Sequence, residues 1–225
     1  MAAYSAGGGT FLSSIYLPPS AALSLSYNNR EQHYLLLMER LTEEEGAVAI
    51  RLAKDALSQR VAGLSAEKIN VTAIFLEKRG VFVTLTKAGE LRGCIGFPHP
   101  VMQLKNAIHD AAIAAATEDP RFQAVTKAEL SLLDIEVTVL TLPQVVEGEP
   151  KERVHKVITG KHGLIVKGLG RSGLLLPQVA TEYGWDAKTF LSHTCRKAGL
   201  PGDCWMKPDI TLLTFEGQIF STKRS

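Results

Sequence analysis

A chain of 225 residues, 45% of them hydrophobic, can bury a full core without disulfides, either as one domain or as two closely packed subdomains. The 25 basic and 23 acidic residues leave a formal charge of +2, too small for the strong positive field of a protein that works through phosphate contacts. Three cysteines are an odd number that does not read as a secreted disulfide framework, and no apolar run approaches the roughly 18 residues that cross a bilayer, so the cytoplasm is the expected location.

Residues 1–29 carry no charged side chain and mix glycine, serine, proline and isolated apolar residues, so 1–37 is expected to be a disordered extension. Without a basic n-region, and with Pro18-Pro19 breaking its apolar stretch, the segment is a poor signal peptide. Met38 stands directly before Glu39-Arg40-Leu41-Thr42-Glu43-Glu44-Glu45 and is the expected natural start, with a single domain over 38–222. A peptide upstream of Met38, found by N-terminal mass spectrometry of protein from its native source, would refute that start.

Thr42-Glu43-Glu44-Glu45 has the form of a capping box, and Ala49, Leu52, Ala53, Ala56 and Leu57 follow at helical spacing, predicting a helix over 42–61. Residues 71–76 and 81–86 read as strands from their β-branched and aromatic content, with a turn at 87–90. Cys94 then falls on or just after a strand that Phe97-Pro98 ends. Val101, Leu104, Ile108, Ala111, Ala112 and Ala115 mark an alanine-rich helix that stops near Asp119-Pro120, because the residue before proline is pushed out of helical geometry.

Ile135, Val137 and Val139 alternate with Glu136 and Thr138 as in a half-buried strand, with Glu136 expected to be exposed. A short helix is predicted over 152–158, a hairpin from 164–167 and 173–176, a helix over 186–198 and a final strand over 210–215. Short strands joined by hairpins and interspersed with helices predict an α+β fold with a mainly antiparallel sheet and flanking helices.

Gly168-Leu169-Gly170-Arg171-Ser172-Gly173 matches the dinucleotide-binding pattern, but an apolar extended run ending at Pro177 follows where a phosphate-binding helix should open. A hairpin turn that needs positive φ explains these glycines better. His193, Cys195 and Cys204 do not have zinc spacing, since residues two apart point to different helix faces and no Cys-x-x-Cys pair is present; no metal site and no cofactor is assigned.

Chemistry concentrates in Leu91-Arg92-Gly93-Cys94-Ile95-Gly96. A guanidinium near a thiol favours the thiolate, the nucleophilic and metal-binding form. Alternation along a strand puts Arg92 and Cys94 on one face unless a bulge intervenes, and Arg92 would then hold an anionic group. The plain alternative is a small buried cysteine between glycines that admit a neighbouring backbone. His162, at a strand entrance in Lys161-His162-Gly163-Leu164, is the preferred base among the six histidines, with an ordinary loop histidine as its alternative. Asp119 and Arg121 read as a cap or tether of the preceding helix, Trp205 as packing and Gln178 as a hydrogen-bonding loop residue.

The hexapeptide resembles the signature of the AMMECR family. Asp119-Pro120-Arg121-Phe122, Ile135-Glu136-Val137-Thr138-Val139-Leu140, Lys161-His162-Gly163-Leu164, Leu175-Leu176-Pro177-Gln178-Val179-Ala180 and Cys204-Trp205 resemble further stretches of the same domain, in order, over residues 39–220. Gln123-Ala124 departs from the proline-rich continuation of relatives. The resemblance implies an α+β protein of two unequal subdomains with a cleft between them. It also implies MEMO-type and radical-SAM proteins as partners in a modification system.

The first functional expectation is an enzyme or enzyme component acting on an anionic small molecule or nucleotide. Cys94 and His162 would be catalytic, and Arg92, Gly93, Gly96, Arg121 and Gln178 would bind substrate. The alternative is a noncatalytic binding or adaptor module that recognises a peptide or partner protein through the same cleft. Near-balanced charge and few interleaved aromatics argue against nucleic acid, and nothing points to a membrane.

Overall fold

The structure, a computed structural model, describes residues 40–222, so the extension expected over 1–37 and the Met38 start lie outside the described residues. Helix α1 (Glu43–Ala62) opens at the expected capping box: the Glu45 N–H donates to the Thr42 hydroxyl at 3.2 Å, and the Thr42 N–H donates to the Glu45 carboxylate at 3.0 Å. Its small face, Ala49, Ala53, Ala56 and Leu57, is buried. The strand expected over 71–76 is instead a 3-10 turn, Ala73–Leu76, that buries Ile74 and Phe75. Branched and aromatic residues report a fit to a buried surface, and here local i→i+3 bonds provided it without a strand partner.

Strands β1 (Val81–Lys87) and β2 (Glu90–Phe97) form a hairpin through Ala88 and Gly89, both at positive φ as a tight two-residue turn requires. Helix α2 (Leu104–Thr117) follows, then β3 (Leu133–Leu140). The first sheet has the order β2-β1-β3-β8, with β8 (Gly217–Ser221) supplied by the C-terminal end. Val81, Val83, Leu85, Ile135, Val137 and Val139 point to one face, where the alanines of α1 and α2 let both helices pack close. The opposite face carries Phe82, Thr84, Glu136 and Thr138.

The second sheet has the order β4-β7-β5-β6, from β4 (Gln144–Val145), β5 (Gly163–Gly168), β6 (Arg171–Leu175) and β7 (Thr211–Phe215). The predicted 152–158 helix is the short turn α3 (Arg153–Lys156); α4 (Pro177–Glu182) and α5 (Ala187–Lys197) complete the helices. Leu164, Val166 and Leu212 bury one sheet face against Phe190 and Leu191 of α5. A smaller cluster, Leu140, Ile165 and Phe215 with Phe82, Leu174, Leu176 and Leu213, joins the other face to the first sheet. All strand pairs within the two sheets are antiparallel, as expected of the α+β class. The glycine pattern at 168–173 is the β5–β6 hairpin, turned by Leu169 and Gly170 at positive φ and leading into a strand.

The cysteine count did not anticipate a single disulfide. Cys195 and Cys204 are both buried and form a disulfide across a Cα separation of 6.0 Å. The chain leaves α5, reverses through Pro201-Gly202 and returns in a 3-10 turn, bringing together residues nine apart. Arg153, buried beneath, donates to the Trp205 and Lys207 carbonyls at 2.7 and 3.2 Å and anchors that return. His193 stacks instead on Trp185 at 3.9 Å. No described helix is long and apolar enough to cross a membrane.

Candidate functional site

The β1–β2 turn by itself would pair Thr84 with Gly93 and Val83 with Cys94, turning the cysteine into the core. The observed register is different: Thr86 pairs with Leu91 but Leu85 pairs with Gly93, so Arg92 is an extra, bulged residue. A one-residue slip exchanges the faces of everything beyond it. Cys94 consequently lies opposite Thr84 on the face shared with Phe82 and Glu136, half-buried on the edge strand, and the Thr84 hydroxyl donates to its sulfur at 3.3 Å.

The flanking glycines have steric causes. A Cβ at Gly93 would stand 2.1 Å from the Ala115 carbonyl oxygen, because α2 crosses against β2 there. A Cβ at Gly96 would stand 2.4 Å from both the Val81 carbonyl and the Phe82 ring. The plain reading of these two glycines, as backbone clearance, accounts for both.

The loop after α2 holds the Cys94 backbone from outside. Asp119, 4% exposed, accepts the Cys94 N–H at 2.8 Å and takes the Arg121 guanidinium as a fork, Nε at 2.9 Å and Nη2 at 2.7 Å. Arg121 also donates to the Cys94 carbonyl at 3.3 Å. Its hydrogen bonds hold the Asp119 carboxyl far below the usual carboxylate range against the opposing effect of burial, and Asp119 in turn raises Arg121. Asp119 is therefore a fixed anion rather than a proton carrier. The Arg121 side chain remains 54% exposed.

Arg92 does not join the sulfur in one pocket. Its guanidinium forks onto Glu129 at 3.1 and 3.2 Å and donates to the Gln123 carbonyl at 2.8 Å, while Lys87 adds a 3.0 Å contact to Glu129. Arg92, followed by the Thr126 backbone and Lys87, holds Glu129 far below its ordinary value. The bulge is thus tied to the segment over 123–129.

His162 lies in the loop before β5, where its Nδ1 accepts the Ile158 N–H at 3.2 Å; burial pushes its pKa down, with Glu216 opposing. Lys161 pairs with Glu216 at 3.3 Å, and Glu216 also takes Arg40. No hydrogen bond joins His162 to Cys94 or to the partners of Cys94 among the described residues. Gln178, exposed at the start of α4, lines a pocket of about 100 Å³ with Phe82, Thr138, Lys161 and Ile219. Gly96 pairs with Phe82, so this pocket begins one row of residues from Cys94. Thr84 and Glu129 went unread in the sequence, because a bulged register and a loop contact leave no periodic signal.

A family model described as AMMECR1 matches residues 50–220. A Methanopyrus kandleri protein is 51% identical over 187 residues, covering 81% of this chain and 90% of that one. A Methanosarcina mazei protein is 50% identical over 188 residues, covering 81% and 94%. The crystal structure of the uncharacterized protein PH0010 from Pyrococcus horikoshii superposes with a TM-score of 0.67 at 44% identity, covering 80% of this chain and 93% of that one. The matched span contains the bulged hexapeptide, its Asp119–Arg121 clamp and both sheets, and the chain belongs to the AMMECR1 family.

Proposed function

We propose that the chain is an enzyme or enzyme component acting on an anionic small molecule or nucleotide, with the Cys94 thiolate as nucleophile or ligand. The observation that carries this reading is the placement of Cys94: a bulge turns the free thiol out of the core, and a buried aspartate and an arginine fix its backbone from both sides. Such fixing supplies the orientation a nucleophile needs. Arg121, held by Asp119 and still half open to solvent, is the anion-binding group beside it, a role that the sequence offered to both Arg92 and Arg121.

His162 hydrogen-bonds near Lys161 and Glu216, so a substrate served by both His162 and Cys94 would span the surface from Gly96 to Lys161, past Phe82 and Gln178. The family resemblance adds MEMO-type and radical-SAM proteins as the expected company in a modification pathway. The test is the alkylation rate of Cys94 in the folded protein at neutral pH, followed by peptide mass spectrometry with the Cys94→Ser variant as blank. A rate above that of the same cysteine in the unfolded chain supports the nucleophile; protection until unfolding would remove Cys94 from catalysis.

The second reading is a noncatalytic module that captures an acidic peptide or partner through the same surface, favoured by the exposed, pre-oriented Arg121 guanidinium. Arg121→Ala would then abolish capture by a MEMO-type partner while Cys94→Ser leaves it intact. Equal capture by wild type and Arg121→Ala would count against this module.

A further inference from the structure

We propose that Thr84 is a catalytic residue of the Cys94 site and that Glu136 is a positioning residue acting through it: the one hydroxyl proton of Thr84 stands between two acceptors that compete for it, and that competition sets how readily the sulfur ionises. This inference rests on the functional reading above and supplies the control of its nucleophile. Thr84 of β1 pairs with Cys94 of β2 on one side and with Glu136 of β3 on the other, so the three form a single row across the outer face of the first sheet. Residues directly opposite one another hold their Cβ atoms about 5 Å apart, close enough for the side chain on either side to meet the Thr84 hydroxyl. A hydroxyl has one proton to donate, and in the structure it goes to the Cys94 sulfur at 3.3 Å.

Glu136 is the unpaired member of this row. Half-buried on β3, its carboxylate makes no hydrogen bond or ion pair among the described residues, whereas Ser221, opposite it on β8, and Asp134, two residues along β3, each have a partner. Among the described residues no lysine or arginine of these strands is left to neutralise it, because Lys87 and Arg92 are both drawn to Glu129. Beyond the Phe82–Thr138 pair, Lys161 is taken by Glu216, the same carboxylate that opposes burial at His162. A partly desolvated carboxylate without a donor is a strong acceptor for the nearest proton in its row, which is that of Thr84.

The sulfur is pulled in two directions. Arg121, raised above its ordinary value first by Asp119 and in smaller part by the Cys94 sulfur, lies within electrostatic reach of a thiolate from the edge of the sheet. Glu136 opposes it from the other side, by like charge across the row and by competing for the Thr84 proton. When the sulfur is a thiolate the hydroxyl donates to it; when the sulfur is a thiol the ionised carboxylate is the stronger acceptor, so Glu136 favours the thiol form. Removing the Glu136 charge leaves the hydroxyl to the sulfur and releases the nucleophile.

The experiment is a double-mutant cycle on the full chain: wild type, Glu136→Gln, Thr84→Val and the two together. The rate of Cys94 alkylation by iodoacetamide is followed by peptide mass spectrometry across neutral and mildly alkaline pH, with urea midpoints confirming that each form is folded. Glu136→Gln should raise the neutral-pH rate about threefold or more and move the profile to lower pH, and Thr84→Val should lower the rate by a similar factor. In the Thr84→Val background the gain from Glu136→Gln should shrink to less than half, since only repulsion through space is left. Thr84→Ser, which keeps the hydroxyl, should recover most of the loss, and Thr84→Ala serves in the same cycle if Thr84→Val does not fold. A gain from Glu136→Gln of equal size with and without the hydroxyl, or an unchanged rate in Thr84→Val, would overturn the proposal and leave the thiol site standing. Protection of Cys94 until unfolding in all four forms would remove the functional reading itself, and this inference with it.

Discussion

The buried carboxylate of Asp119 accepts the backbone N–H of Cys94 at 2.8 Å, across 25 residues of sequence. With this bond the loop after α2 fixes an edge strand at the free cysteine. Asp119→Ala removes both the acceptor and the anion that orients Arg121, and should destabilise by about 2–3 kcal/mol in urea unfolding. It should also change the alkylation rate of Cys94 under native conditions. A variant with unchanged midpoint and unchanged rate would show that the clamp is idle.

Gly93 tests the crossing of α2 over β2. A Cβ there meets a backbone carbonyl, which cannot rotate away as a side chain would. Gly93→Ala is expected to cost about 1–3 kcal/mol, seen as a lowered Tm, whereas Gly63→Ala, with no neighbour within 4 Å of its added Cβ but φ at +68°, should lose stability through backbone strain alone. A Gly93→Ala protein as stable as wild type would contradict the close approach.

Acid should unfold the protein through Asp119 and Glu129. Both have folded values depressed below those of the unfolded chain, so their contribution is fully present above about pH 5 and is lost as pH falls through the unfolded carboxylate range near 4 and onward toward the depressed folded values. Urea midpoints measured between pH 7 and pH 2 should fall across that window, and less steeply in Glu129→Gln. A profile of equal slope in the variant would exclude Glu129 as a source.

His162 should act in a separate window. Burial depresses its pKa, so the unfolded chain takes up the proton first and stability drops as pH falls below about 6.5, levelling off once the folded value is passed. His162→Gln should flatten stability in that window and leave the carboxylate limb unchanged. The same slope in wild type and variant would show that His162 titrates alike in both states.

The Cys195–Cys204 bond closes a short loop inside the second core. Loop-closure entropy assigns it about 2.5 kcal/mol, so reduction, or the double variant Cys195→Ala with Cys204→Ala, should lower the unfolding midpoint. Intact mass under nonreducing conditions, two hydrogens lighter than the reduced protein, checks the bond directly.

Local signals in the chain were sufficient for the regular elements. The Thr42 capping box, the alanine face of α2, the alternation of Ile135, Val137 and Val139, and the hairpin turn at Leu169-Gly170 each depend on residues close in sequence, and each appears where it was read. Elements fixed by distant partners were not legible. Ala73–Leu76 has strand composition without a strand, and β8 is short and exists because β3 has a free edge beside it. The disulfide required the fold to return residue 204 to α5.

The sequence by itself determined the family and the antiparallel α+β class, because periodicity, turn chemistry and contiguous motifs are local properties. Only the tertiary structure decided which way Cys94 faces and what stands beside it. A one-residue bulge at Arg92, held by Glu129 and Gln123 more than 30 positions away, reverses the side-chain alternation that the turn alone would set. Arg92 was thereby drawn into an ion pair, while Arg121 and Asp119 took the place beside the cysteine. Strand register depends on contacts made across the sheet and with the loops that border it, and those contacts form only in the folded chain.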